Sequence, residues 1–193
     1  MGAVGGAVGS GTGRPHAHEM SAMSVEILSA GRGEGKTTFL CQYLDRLVER
    51  GRSVGGIVSL AVFEDGQRIG YDLLDLRSGR RRALARIAKA PVSPPTVGVY
   101  QFIEAAINEG NTAVIAAVRD DLDVVAIDEV GPLEFRGQGW APALETALQE
   151  CRAEQELIIV VRPALVAELP KRFPSPLWAG ARRTSPPWPA PQD

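Results

Sequence analysis

Two apolar rhythms alternate along this chain. Residues 25–29, the run Val124-Val125-Ala126-Ile127 and the run Leu157-Ile158-Ile159-Val160-Val161 are short, mostly continuous and rich in β-branched residues. They predict strands buried on both faces, as in a parallel sheet. Between them the spacing turns helical. Phe39-Leu40, Tyr43-Leu44 and Leu47-Val48 predict a helix over 37–50, closed by Gly51. Similar spacing predicts helices over 103–118 and 140–152, with a shorter helical piece ending near Leu169.

A different pattern fills 53–86. Residues 53–63 are β-rich, and Asp65-Gly66 then separates them from a second extended run over 67–76. Asp-Gly between two extended runs is a strong hairpin signal. A further turn follows at Ser78-Gly79. Residues 54–86 therefore predict an antiparallel meander inside an otherwise helix-connected sheet. Pro91, Pro94 and Pro95 mark a loop, residues 97–102 a short extended piece, and no strand is predicted after Phe173.

The ends differ in composition. Residues 1–23 are Gly-rich and aperiodic, and 184–193 are Pro-rich, so both predict disordered tails around one domain at 24–183. The N-terminal stretch lacks the basic and apolar regions of a secretory signal. Gly6 stands where a myristoylation signal needs Ser or Thr. His16 and His18 fall in this tail, where a solvated role outweighs metal binding; Met20 and Met23 are alternative starts.

At 193 residues the chain can bury a full α/β core. Its net charge of −2 gives no global signal for nucleic acid or an acidic membrane. Cys41 and Cys151 lack metal-ligand or redox spacing and read as small buried hydrophobes rather than reactive thiols. Few cysteines and no apolar run of spanning length point to a cytoplasmic protein.

The chemistry concentrates in residues 30–37, Ala-Gly-Arg-Gly-Glu-Gly-Lys-Thr. This is the phosphate-binding loop (Walker A) in relaxed form, with Ala30 in place of the first Gly. It lies between a predicted strand and a predicted helix, the context that the motif requires. Gly31, Gly33 and Gly35 let the backbone turn several N–H groups onto one anion, and the helix end adds its positive dipole. Ala30, Gly31, Arg32, Gly33, Glu34, Gly35, Lys36, Thr37 and Thr38 are the candidate nucleotide-binding residues. Lys36 can reach the β- and γ-phosphates, and the Thr37 hydroxyl can ligate Mg²⁺.

The second half of the candidate site is Asp128-Glu129, at the carboxyl end of a buried strand (Walker B). Asp128 would serve Mg²⁺ through water, and Glu129 would orient and deprotonate a water that attacks the γ-phosphate. Lys36 and Glu129 are thus the candidate catalytic residues. A kinase would need an Arg-rich lid after this strand, and Arg136 and Arg152 alone do not make one. Asp128-Glu129-Val130-Gly131 also fits the Asp-x-x-Gly element of switch GTPases, but no Asn-Lys-x-Asp guanine reader is present. Loose base selectivity among ATP, GTP and other triphosphates is expected.

Four segments carry a narrower resemblance. They are Gly31-Arg32-Gly33-Glu34-Gly35-Lys36-Thr37-Thr38; Val54-Gly55-Gly56-Ile57-Val58-Ser59; Arg68-Ile69-Gly70-Tyr71-Asp72; and Ile127-Asp128-Glu129-Val130-Gly131-Pro132-Leu133-Glu134. Over residues 25–165 the chain resembles the small P-loop nucleoside-triphosphatase family, which includes the cancer-related nucleoside-triphosphatase and its archaeal and bacterial relatives. The resemblance implies a three-layer α/β P-loop sandwich, its sheet mostly parallel with a hairpin extension after the second strand. It also implies Mg²⁺-dependent hydrolysis of nucleoside triphosphates. Residues 135–140 and Val161-Arg162 are similar to a sister group of small P-loop proteins in metal and molybdenum contexts. That similarity keeps open a nucleotide-dependent switch acting on an unknown protein partner.

Other residues are weighed on both sides. Arg77, Arg80, Arg81, Arg82 and Arg86 could form an anion patch but fit better as the charged edge of a hairpin. Arg162 could sense the γ-phosphate or close a salt bridge. Trp140 and Trp178 fit packing better than base stacking. Glu134 shares the mouth of the site, and a catalytic role for it is the weaker reading.

Overall fold

The computed structural model describes residues 24–88 and 95–189. The N-terminal stretch with His16, His18, Met20 and Met23, and the loop residues Pro91 and Pro94, lie outside the described residues. In chain order the elements are β1 (Ser24–Ser29), α1 (Lys36–Glu49), β2 (Val54–Glu64), β3 (Gln67–Asp75), β4 (Arg81–Ile87), β5 (Thr96–Val97) and β6 (Tyr100–Phe102). Then come α2 (Glu104–Arg119), β7 (Val124–Val130), α3 (Pro132–Phe135), α4 (Ala141–Glu150) and β8 (Glu156–Val161). Two short helices, Pro163–Val166 and Leu169–Arg172, and a 3₁₀ turn, Pro176–Gly180, lead to β9 (Arg182–Thr184).

All nine strands form one sheet in the order β5-β6-β4-β3-β2-β7-β8-β1-β9. The half containing β2, β7, β8, β1 and β9 is parallel. The half containing β3, β4, β6 and β5 is antiparallel: β2, β3 and β4 form the predicted meander, and β6 and β5 extend it beyond what the sequence indicated. Alternation along the central strands fixes three layers. Val25, Ile27, Val125, Ile127, Leu157 and Ile159 face one apolar cluster, which includes residues of α2 and α4. Leu28, Val124, Ala126, Ile158 and Val160 face the other, beneath Phe39, Leu40, Leu44 and Leu47 of α1. No described helix is long and apolar enough to cross a membrane.

The segments that narrowed the resemblance have structural reasons. A side chain at Gly56 would place its Cβ 2.1 Å from the Ala126 carbonyl oxygen of β7, and one at Gly70 would sit 2.1 Å from that of Ala85. These glycines let neighbouring backbones close. Asp72 accepts from Arg81 at 2.8 Å and Arg86 at 2.6 Å. Tyr71 meets Tyr100 edge to face at 5.3 Å, and the Arg68 guanidinium lies over the Phe63 and Tyr71 rings. Asp65 and Gly66 both have positive φ, 47° and 76°, as a tight Asp-Gly hairpin turn requires.

Two expectations are corrected by the C-terminal segment. A strand does exist beyond Phe173: β9 pairs with β1, Glu26 opposite Arg182 and Leu28 opposite Thr184. Its three residues are polar and mostly exposed, so no apolar pattern announces it; Glu26 holds it by accepting from Arg182 at 3.1 Å and from Thr184 at 2.5 Å. Thr184 and Trp188, which composition placed in a disordered tail, are packed, with the Trp188 ring stacked on Phe39 at 4.7 Å.

Candidate functional site

The loop between β1 and α1 takes its shape from its glycines. Gly33 and Gly35 have φ of 81° and 77°, the left-handed region that residues with a Cβ rarely adopt. Ala30 is buried at the end of β1, while Arg32, Gly33, Glu34 and Gly35 are exposed along the rim. Glu34 folds back within the loop and accepts from the Gly31 N–H at 2.6 Å. Lys36 opens α1, is buried, and its Nζ donates to the Gly31 carbonyl at 2.9 Å. An ammonium buried against one carbonyl has donors left for an anion. Thr37 is half-buried and Thr38 is exposed on the outer face of the first turn.

The parallel register carries Asp128 to this loop. Pairing of β2 with β7 ends at Ile57 opposite Ile127, which frees the Ser59 N–H. That N–H donates to Asp128 Oδ2 at 3.0 Å, and the Thr37 hydroxyl donates to the same oxygen at 3.1 Å across 91 residues of sequence. Asp128 is fully buried. Burial, and after it the neighbouring Glu129 charge, push its carboxyl up to about 7, against the pull of the Ser59 and Thr37 hydrogen bonds. Its Oδ1 and the Ser59 hydroxyl are buried without a hydrogen-bond partner among the described residues. Polar atoms in that state mark a place for a polar occupant.

The donors suit Mg²⁺, a hard cation that takes one or two protein oxygens and completes its shell with water and phosphate. No cluster of three or more His, Cys, Asp or Glu side chains able to hold a metal occurs among the described residues.

Glu129 follows with φ of +58°, and pairing of β7 with β8 breaks between Ile127 and Val130. A left-handed glutamate is a strained conformation of the kind found at functional sites, costing on the order of 1–3 kcal/mol. The turn puts Glu129 on the wall of a cleft of about 610 Å³ whose lining also includes Lys36, Thr37, Ser59, Arg32 and Arg162. Arg162 is exposed at the end of β8 and makes no ion pair within the described residues, so the structural salt bridge is not formed there.

Several residues have structural rather than site roles. Glu134 is buried and accepts from the Gly131 N–H at 2.7 Å and the Trp140 N–H at 2.8 Å, which ties the 131–140 segment together. Arg77, Arg81 and Arg82 pair with Asp120, Asp72 and Glu109, so these three guanidiniums are held in ion pairs with β3 and with α2 and its C-cap. Trp140 is buried, and Trp178 donates its Nε1 proton to the Phe173 carbonyl at 2.7 Å. Cys41 and Cys151 are free and half-buried.

Two residues beside the loop carried no sequence signal of their own. Ser59 lies in a segment read as extended and for its resemblance, but its contact with Asp128 depends on strand register. Trp188 donates its Nε1 proton to the Glu34 carbonyl at 2.8 Å. A lone tryptophan inside a Pro-rich run was the one available hint.

Known proteins resemble this chain in sequence and fold. A family model described as NTPase matches residues 26–175. The nucleoside-triphosphatase THEP1 of Archaeoglobus fulgidus is 32% identical over 77% of this chain and 86% of its own length. That of Thermofilum pendens is 37% identical over 63% of this chain; that alignment spans 66% of the relative, just short of two thirds. Among solved structures, a human cancer-related nucleoside triphosphatase shares the fold with a TM-score of 0.63 at 24% identity, covering 85% of this chain and 88% of that one. THEP1 from Aquifex aeolicus gives the same TM-score at 19% identity, covering 84% and 89%. With the family model spanning most of the sheet, from the phosphate loop through Asp128 to beyond β8, this chain belongs to the NTPase family.

Proposed function

We propose that this chain is an Mg²⁺-dependent nucleoside triphosphatase that hydrolyses NTP to NDP and phosphate with loose base selectivity. One observation carries the reading. The Thr37 hydroxyl and Asp128 carboxylate meet at 3.1 Å, with Glu129 turned by its positive φ into the cleft that holds Lys36. The names of the relatives, nucleoside-triphosphatase, support it.

The loop N–H groups and the α1 terminus would bind the phosphates. Lys36 would exchange its Gly31 carbonyl for phosphate oxygens. Thr37 and Asp128 would hold Mg²⁺, which when bound would supply positive charge to the phosphates. Glu129 would accept a proton as a water oxygen attacks Pγ, while the bond from Pγ to the bridging β-oxygen breaks and NDP leaves. Arg162, which lines the same cleft and makes no ion pair among the described residues, would meet charge on the γ-phosphate. The sequence holds no Asn-Lys-x-Asp guanine reader, which supports loose base choice. The free thiols fit a cytoplasmic setting.

The test is phosphate release by the purified protein from ATP, GTP, CTP and UTP, with Mg²⁺ and with a chelator, for wild type and Lys36→Ala. Release from several nucleotides, lost with chelator and in the variant, is expected. Nucleotide binding with release only in the presence of a partner protein would refute this reading in favour of a switch module.

A further inference from the structure

We propose that Trp188 is the base platform of the nucleotide site: the nucleobase stacks on the outer face of its indole, whose inner face lies on Phe39. The inference rests on the phosphate-loop reading above and adds the missing base contact.

The topology brings Trp188 there. Strand β9 runs parallel to β1, so its carboxyl end emerges on the rim that carries the phosphate loop. It joins β1 on the side opposite β8 and β7. Asp128 and Glu129 lie on β7, which fixes the γ-phosphate end of a bound nucleotide. The nucleoside must then leave the loop toward the β9 side.

The local contacts agree. The indole lies nearly parallel to the Phe39 ring, at 4.7 Å and 11°. Its Nε1–H donates to the Glu34 carbonyl at 2.8 Å, which pins the ring to the loop. Phe39 is buried but Trp188 is only half-buried, so part of the indole remains accessible. Trp188 lines a shallow cleft of about 380 Å³ together with Gly35, Thr38, Phe39, Gln42, Arg46 and Pro189. Gly35, Thr38 and Gln42 also line the phosphate cleft, so the two spaces adjoin. Prolines 186, 187 and 189 flank the tryptophan and limit the backbone freedom lost when a base binds.

A stacking platform has a recognisable selectivity. Every base offers a π-face, so all nucleotides bind, and the larger purine ring gains more than a pyrimidine. Losing such a stack weakens binding by about tenfold or more.

The experiment compares equilibrium binding of Mg-ATP, Mg-UTP and Mg-tripolyphosphate, which has no base, to wild type, Trp188→Ala and Trp188→Phe. Trp188→Ala is expected to weaken ATP about tenfold, UTP less, and tripolyphosphate not at all, with Phe restoring part of the loss. Fluorescence of a Trp140→Phe/Trp178→Phe protein, which keeps only Trp188, should change with ATP and not with tripolyphosphate. Unchanged or tighter ATP binding in Trp188→Ala would overturn the proposal, the tighter case making the indole a cover. Equal losses for ATP and tripolyphosphate would overturn it too, leaving Trp188 a prop for the loop. If wild type binds neither ATP nor tripolyphosphate, the phosphate-loop reading itself fails and this one falls with it.

Discussion

Replacing Glu134 by alanine removes the acceptor of two buried N–H groups, those of Gly131 and Trp140. Each buried donor left unsatisfied costs about 1–3 kcal/mol. A cavity of about 310 Å³ adjoins Glu134, Gly131 and Trp140, and water entering it would recover part of that loss. A net loss of about 2–4 kcal/mol is expected, a large share of the stability of a single domain. The Glu134 charge also costs stability, and pH separates the two effects. Burial pushes its carboxyl up to about 7 from 4.5, although the Trp140 and Gly131 N–H groups pull the other way. The folded state therefore binds the proton more tightly than the unfolded chain. Its contribution to stability is greatest below pH 4.5, declines between pH 4.5 and 7, and is flat above. That decline is worth about 3 kcal/mol. Urea unfolding of wild type, Glu134→Ala and Glu134→Gln at pH 5 and pH 8 reads both quantities. The wild-type advantage over Glu134→Gln should shrink by a few kcal/mol from pH 5 to pH 8. A Glu134→Ala loss under about 1 kcal/mol at pH 5, or a pH-independent gap to Glu134→Gln, would refute the reasoning.

Two further outcomes follow from packing. Gly56→Ala adds a Cβ 2.1 Å from the Ala126 carbonyl at a φ of 100°, so it should cost about 3 kcal/mol or more in urea unfolding, or prevent folding. Burial pushes the Cys151 thiol up to about 12, so at neutral pH it should react with a thiol reagent much more slowly in the folded chain than after unfolding in urea.

The legible parts of this fold are those whose signal is local. The glycine loop, the Asp65-Gly66 turn and the apolar runs of β7 and β8 each carry their own pattern, and together they specify the three layers. The parts that escaped depend on neighbours. Strand β9 is polar, and exists because β1 offers a free edge and Glu26 binds Arg182 and Thr184. Ser59 reaches Asp128 only through the register of β2 against β7. Nothing in the sequence marks Glu129 for a left-handed backbone, a conformation that glutamate does not favour. Glu134 reads from sequence as one more carboxylate near the mouth; its backbone partners alone show that it organises the segment after β7.

Glu129 also carries the central claim, because its proposed task is to handle the attacking water and not to hold nucleotide. The direct measurement is single-turnover phosphate release beside equilibrium ATP binding, for wild type and Glu129→Gln. In Glu129→Gln, ATP affinity should stay within a few-fold of wild type and release should slow by at least about 10²-fold, the lower range for losing a general base. Release at the wild-type rate from Glu129→Gln would contradict it.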